Sequence, residues 1–266
     1  MLKRISWLVL LGTLLAATVS AQISIVGSLT RYQESTPGEQ YEGVISLKNV
    51  GTATAQAKVY VQDYTFSADG KTGYLEAGSL PRSNAAWITL SASTAVLAPG
   101  EIADIKYTLD IPASRAIAGT YWSIIFVEGI PEDAANVEGE VPTISIKQVM
   151  RYGIQIVSDF TALAKSDLKF SNTKIVSTEE GRSFSVDLTN TGTRWLNGNL
   201  YIEVYNLDGD HVTTLSGSKF RTYPDTSIRK NISVAGLAAG YYKALLVADC
   251  GGDDLFGGNY NLVISE

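Results

Sequence analysis

Gly38-Glu39-Gln40-Tyr41, Val44-Ile45-Ser46-Leu47 and Asn49-Val50-Gly51-Thr52 follow one another in the first half of this chain. The second half repeats the order with Gly181-Arg182-Ser183-Phe184, Val186-Asp187-Leu188 and Asn190-Thr191-Gly192-Thr193. Each copy runs an apolar-polar alternation into an Asn-x-Gly-Thr turn, the pattern of a half-buried strand followed by a tight reversal. Further on, Ala118-Gly119-Thr120-Tyr121 opens an apolar run to Val127, and Ala239-Gly240-Tyr241 opens a matching run to Val247. Each of those runs follows a segment begun by a proline, Pro99 in one half and Pro224 in the other. Chance turn chemistry explains one such match, but not three in the same order. The chain therefore holds two copies of one unit.

The unit is all-β. Val44–Leu47, Ala57–Tyr64, Ile102–Ile111, Tyr121–Val127 and Ile144–Val157 read as strands. So do Ser183–Leu188, Leu200–Tyr205, Ile228–Val234 and Tyr241–Ala248, with turns at Asp69-Gly70, Pro99-Gly100 and Asp208-Gly209. No stretch has useful helical periodicity, and evenly spaced short strands predict tandem immunoglobulin-like β-sandwiches. The expected boundary lies near Phe160, giving domains 22–160 and 161–266.

Residues 1–21 read as a cleaved signal peptide. Lys3 and Arg4 precede an apolar run from Ile5 to Ala17, and Val19-Ser20-Ala21 supplies the small-residue cleavage pattern. That run is short for a membrane span, and no later segment is long and apolar enough to be one. Gln22 follows the cut where a lipid-anchored protein would need cysteine. The expectation is an exported, periplasmic protein, with the cell surface as the alternative.

The chain has 21 basic and 27 acidic side chains, a formal net charge of −6, and loses two positive charges with the leader. An acidic chain without a basic cluster does not suit a phosphate backbone, so nucleic acid is not an expected partner. Cys250 is the single cysteine, which rules out an internal disulfide, and it reads as a small core residue. His211, the single histidine, stands beside Asp208-Gly209-Asp210 at a hairpin tip, where a catalytic triad would lack its buried orienting partner. We expect no enzyme, no cofactor and no metal. The acidic run Asp249–Asp254 has glycines for a bend but fits no calcium-loop spacing, and a solvated hairpin accounts for it. Asn231-Ile232-Ser233 matches the glycosylation triplet, a frequent chance pattern.

The segment before the domain boundary is more informative. A polar loop, Glu132–Glu140, precedes the alternation Ile144-Ser145-Ile146-Lys147-Gln148, which continues through Met150-Arg151-Tyr152. A long strand leaving one sandwich for the next either closes the first core or offers an edge to a partner strand.

With Leu97-Ala98-Pro99-Gly100-Glu101 and Glu128-Gly129-Ile130-Pro131, these residues resemble the periplasmic pilus (fimbrial) chaperone superfamily, a pair of immunoglobulin-like domains. The resemblance covers most of the mature chain. It implies that Ile144 and Ile146 are donor positions on an edge strand offered to a pilin-like subunit. It also implies that Arg151, with Arg31 of Thr30-Arg31-Tyr32, anchors the subunit's terminal carboxylate. Pro142 stands at the next donor position upstream and supplies no ladder N–H. The competing expectation is a structural or adhesive surface protein using tandem sandwiches as spacers.

Overall fold

The computed structural model describes residues 23–114, 116–130, 149–178 and 181–265. The expected leader, Ile144 and Ile146 lie outside them. Ten strands make up the first half: β1 (Ile23–Val26), β2 (Thr30–Glu34), β3 (Gln40–Asn49), β4 (Ala55–Phe66), β5 (Thr72–Leu75), β6 (Ile88–Leu90), β7 (Thr94–Leu97), β8 (Ile102–Asp110), β9 (Gly119–Ile130) and β10 (Arg151–Phe160). Seven follow: β11 (Leu168–Thr178), β12 (Gly181–Asn190), β13 (Leu196–Tyr205), β14 (His211–Thr222), β15 (Ser227–Ser233), β16 (Gly240–Asp249) and β17 (Leu255–Ile264).

These strands form two sandwiches in tandem. In the first, the sheet β1-β3-β8-β6 packs on the sheet β2-β10-β9-β4-β5, with β7 also on β4. In the second, β11-β12-β15 packs on β14-β13-β16-β17. Named strands pair antiparallel throughout, except that β2 joins β10 in parallel.

Period-two alternation determines what is buried. Ile45, Leu47 and Ile105 from one sheet meet Val59, Ile125, Ile154 and Ile156 from the other. The second core is built the same way from Val186, Leu188 and Ile232 against Leu200, Ile202, Val204 and Leu246. Each such side chain contributes about 1.5–3 kcal/mol by leaving water, and no disulfide supplements them.

The internal repeat corresponds to a repeated hydrogen-bond device. Asn49 donates from Nδ2 to the carbonyls of Ala53 (2.8 Å) and Leu97 (2.9 Å), and its Oδ1 accepts from the Gly51 N–H (2.9 Å). Asn190 donates to the carbonyls of Arg194 (2.8 Å) and Thr222 (3.3 Å), and accepts from the Gly192 N–H (3.0 Å). Both asparagines are fully buried. The proline turns match as well: Gly100 N–H donates to the Asn49 carbonyl, and Asp225 N–H to that of Asn190. Both turn residues lie in the left-handed region, Gly100 at φ 79° and Asp225 at φ 60°.

One expected strand differs in extent. Instead of ending at Val157, β10 runs on to Phe160, and among the described residues it starts at Arg151, leaving Val149 and Met150 outside. The extension follows from β9, which pairs with β10 from Arg151 opposite Glu128 to Phe160 opposite Gly119.

A charged pair stabilises the second sandwich. Asp187, buried on β12, accepts a bidentate contact from Arg229 (Nε 2.6 Å, Nη2 2.8 Å) and a third bond from Asn172 (2.8 Å). The Arg229 guanidinium holds the Asp187 carboxyl below the ordinary carboxylate range. Its contribution is therefore complete at neutral pH and is lost as pH falls through the depressed native value. We expect urea midpoints of the wild type to drop more steeply on acidification than those of Asp187→Asn. Equal slopes would show that the pair is neutral to stability.

Candidate functional site

β10 presents different residues on its two faces. Ile154 and Ile156 enter the first core, so Gln155, Val157 and Asp159 face the other way, toward the second sandwich. The parallel register places Thr30 beside Gln155, Tyr32 beside Val157 and Glu34 beside Asp159. Thr30 and Tyr32 therefore join the junction face.

The second domain meets this face with Arg194, Trp195, Arg221 and Tyr223. Asp159, fully buried, accepts from Thr120 Oγ1 (2.7 Å), Tyr32 Oη (2.9 Å) and Arg194 Nε (3.2 Å). Burial, helped by that bond to Asp159, pushes the Tyr32 hydroxyl up to about 12. Tyr223 is buried against Trp122, stacked with ring centroids 4.8 Å apart, and Trp195 bridges Tyr223 and Tyr32. The Tyr223 hydroxyl donates to Gln155 Oε1 (2.6 Å). A main-chain bond fixes the same contact, Thr120 N–H donating to the Thr193 carbonyl at 2.8 Å. Two sandwiches joined by buried rings and this bond form a defined cleft.

One side of that cleft holds a cavity of about 580 Å³ between Tyr64, Phe66 and the Ser67–Thr72 turn of the first domain and Lys219, Arg221, Tyr223 and Lys230 of the second. Lys71, Lys219, Arg221 and Lys230 line it, Lys71 paired at 2.6 Å with Asp69 of the same turn. Arg221 donates from Nη1 to Thr30 Oγ1 (2.8 Å) and Gln155 Oε1 (3.3 Å), and its guanidinium lies 5.0 Å from the Trp195 ring centre. Its Nε is buried without a partner. Burial also pushes the Lys230 ammonium down. Such a cleft suits a carboxylate, which a guanidinium grips in a fork and which partial desolvation strengthens.

The structure does not bring Arg31 and Arg151 together. Arg31 lies opposite Ile156, so it shares the core-side face and sits against Tyr107, with Nε buried and unpartnered. Arg151 has the opposite parity and is exposed, its guanidinium stacked 4.3 Å from the Phe126 ring centre and 5.0 Å from that of Tyr74. Parallel pairing of β2 decides the difference by setting Arg31 beside an even-numbered residue of β10. The arginine lining the cleft cavity is Arg221, which sequence reasoning missed. Its segment, Lys219-Phe220-Arg221-Thr222-Tyr223, shows only an ordinary alternation.

No model of a known protein family matches the chain, and no curated protein matches it. Solved structures do. A chain of the chaperone–tip adhesin complex of CFA/I fimbriae biogenesis aligns at TM-score 0.51 and 12% identity, over 90% of this chain and 98% of its own. A chain of the CsuC–CsuE chaperone–tip adhesion subunit complex, from the archaic chaperone-usher Csu pili of Acinetobacter baumannii, aligns at TM-score 0.46 and 16% identity, over 89% and 98%. This is the fold of the fimbrial chaperones.

On this fold His211 sits at the periphery, whereas Cys250, Gly251 and Asp254 line a cavity of about 330 Å³ with Tyr32, Arg194 and Trp195 of the junction. His211 opens β14, its Nε2 3.1 Å from Thr214 Oγ1 and its ring edge-on to Tyr205. The Asp249–Asp254 run is a hairpin closed on itself: Cys250 N–H donates to the Asp254 carbonyl, and Gly251 N–H to Asp249 Oδ1. Among the described residues no group of three or more His, Cys, Asp or Glu side chains could hold a metal ion. Cys250 packs half-buried against the second core, and burial, reinforced by Asp254 and Asp249, pushes its thiol up to about 11. A thiol that stays protonated is a poor nucleophile.

Proposed function

We propose that this chain is a periplasmic, chaperone-like binding protein that holds an exported, pilin-like subunit by β-strand pairing beside the domain junction. The observation that carries this reading is the incomplete cover of β10. β2 pairs only with Gln155–Asp159, so Arg151–Ile154 is laddered to β9 on one side and, among the described residues, has an unpaired edge on the other. Exposed Val149 and Met150 lead into that edge. A partner strand laid there satisfies the free backbone groups, and alternate side chains select it. Ile144 and Ile146 share the parity of Ile154, so a strand extended upstream would offer them as donors.

In this reading the cationic cleft takes the subunit's terminal carboxylate. Arg221 supplies the fork, Lys230 adds charge, and Arg151 marks the far end of the pairing edge. The CFA/I structure is of a chaperone with a tip adhesin, and the fold likeness makes a comparable exported subunit the natural partner here.

The test is a pull-down from the native periplasm with the wild type, Arg221→Ala, Arg151→Ala, Ile146→Asp and the remote surface variant Val96→Asp. Removing one partner of a desolvated charge pair costs about 2–5 kcal/mol, so Arg221→Ala is expected to abolish recovery of the partner. Ile146→Asp is expected to do likewise, Arg151→Ala to weaken recovery, and Val96→Asp to leave it unchanged. Recovery unaltered by both Arg221→Ala and Ile146→Asp would mean that neither the cleft nor the strand holds a subunit. The fixed junction favours the spacer reading in that case.

A further inference from the structure

β17 differs from every other sheet edge among the described residues. β1, β2, β5, β6 and β7 are short, of three to five residues. β11 carries Lys169 and Lys174 and a register shift between Ser171 and Lys174. β14 carries Lys219 and Arg221 and two register shifts, and β15 carries Arg229 and Lys230. Charges, bulges and short length are the devices by which proteins keep edges from pairing with other chains. β17, Leu255–Ile264, has ten residues, no charge, no proline and an unbroken register with β16. Its outer side pairs with nothing among the described residues, and Leu255 and Val263 are 61% and 54% exposed.

The spacing of these residues indicates what fits. We propose that β17 is a self-association edge, at which a second copy of this chain adds its own β17 antiparallel about a two-fold axis through Asn259. Such an interface is isologous, so one surface must complement itself. About Asn259 it does. Leu255 falls opposite Val263 of the second copy, joining the two most exposed apolar side chains of the strand. Gly257 falls opposite Asn261, and Asn259 meets its own counterpart, where two amides can exchange hydrogen bonds. At each end, the turn that carries Asp253 of one copy comes beside the end of β17 in the other, where the Arg182 guanidinium holds the Ser265 carbonyl. The ends of the interface thus carry opposite charges while its middle carries none. Tyr241 of β16, 69% exposed and paired with Val263, widens the apolar strip. None of this depends on a subunit binding at β10.

The experiment is sedimentation of the mature chain over a concentration series. The wild type is expected to pass from monomer to dimer. Leu255→Lys, at an exposed position, is expected to weaken association by about tenfold or more. The double variant Leu255→Lys/Val263→Glu is expected to restore it, because the register sets the new lysine against the new glutamate of the other copy. In a Cys250→Ser background, Asn259→Cys is expected to form a covalent dimer under mild oxidation, since residues on the axis face each other at disulfide distance. Overturning results are a wild type monomeric at every concentration, association indifferent to Leu255→Lys, or a cysteine at position 259 that does not cross-link.

Discussion

Replacing Gly119 by alanine is expected to uncouple the two sandwiches, turning one cooperative unfolding transition into two. Gly119 opens β9 at φ 76°, a conformation in which a side chain is strained, and a Cβ built there would overlap the Thr193 carbonyl oxygen. Backbone is the obstacle, so rotamer change gives no relief. The displaced turn carries the bond from Thr120 N–H to Thr193 and the bond from Trp195 N–H to Thr120 Oγ1 (2.8 Å). Thr120 Oγ1 in turn donates to Asp159. Strain plus overpacking is of the order of 3 kcal/mol or more. Neither core contains Gly119, so each domain keeps its own packing. Calorimetry checks this: a single transition at the wild-type temperature would show that the junction tolerates the methyl group.

The second large effect is expected within each domain. Asn49→Ala and Asn190→Ala each remove a buried amide that satisfies two carbonyls and one N–H. A buried polar group left without a partner costs about 1–3 kcal/mol, so each substitution is expected to cost about 3 kcal/mol or more. Serine at either site keeps one polar atom and is expected to lose less. The two sites lie in separate sandwiches, so their effects should add to within about 0.5 kcal/mol in the double variant. Urea unfolding measures all three. A loss below about 1 kcal/mol for either alanine variant would mean that water takes over the bonds.

These asparagines also show what the sequence makes legible. Asn-x-Gly-Thr is a local turn, each asparagine bonded to residues two and four positions on, so its recurrence revealed two sandwiches, while its bonds to Leu97 and Thr222 cross between sheets. The strongly alternating strands were readable for the same reason. β11, β14 and β17 were not, because Ser, Thr, Gly and Asn dilute their apolar alternation. The cleft was hidden for a different reason. Arg221 meets Thr30 across 191 positions of chain, and no local pattern encodes that contact. Arg31 shows the converse: its neighbourhood in the sequence resembles an anchor, yet parallel pairing of β2 turns it to the face opposite Arg151. Side-chain direction in a sheet depends on register, and register with a distant strand depends on tertiary packing.

The aromatic stack at the junction makes the protein its own optical gauge. Of the four tryptophans, Trp122 and Trp195 both flank Tyr223 there, while Trp87 sits with Tyr121 and Phe160 in the first domain. Parting the domains would wet both junction indoles, shift their emission to the red and end energy transfer from Tyr223. The angle between the sandwiches can therefore be followed by intrinsic fluorescence, without labels, as temperature, denaturant or an added protein is varied.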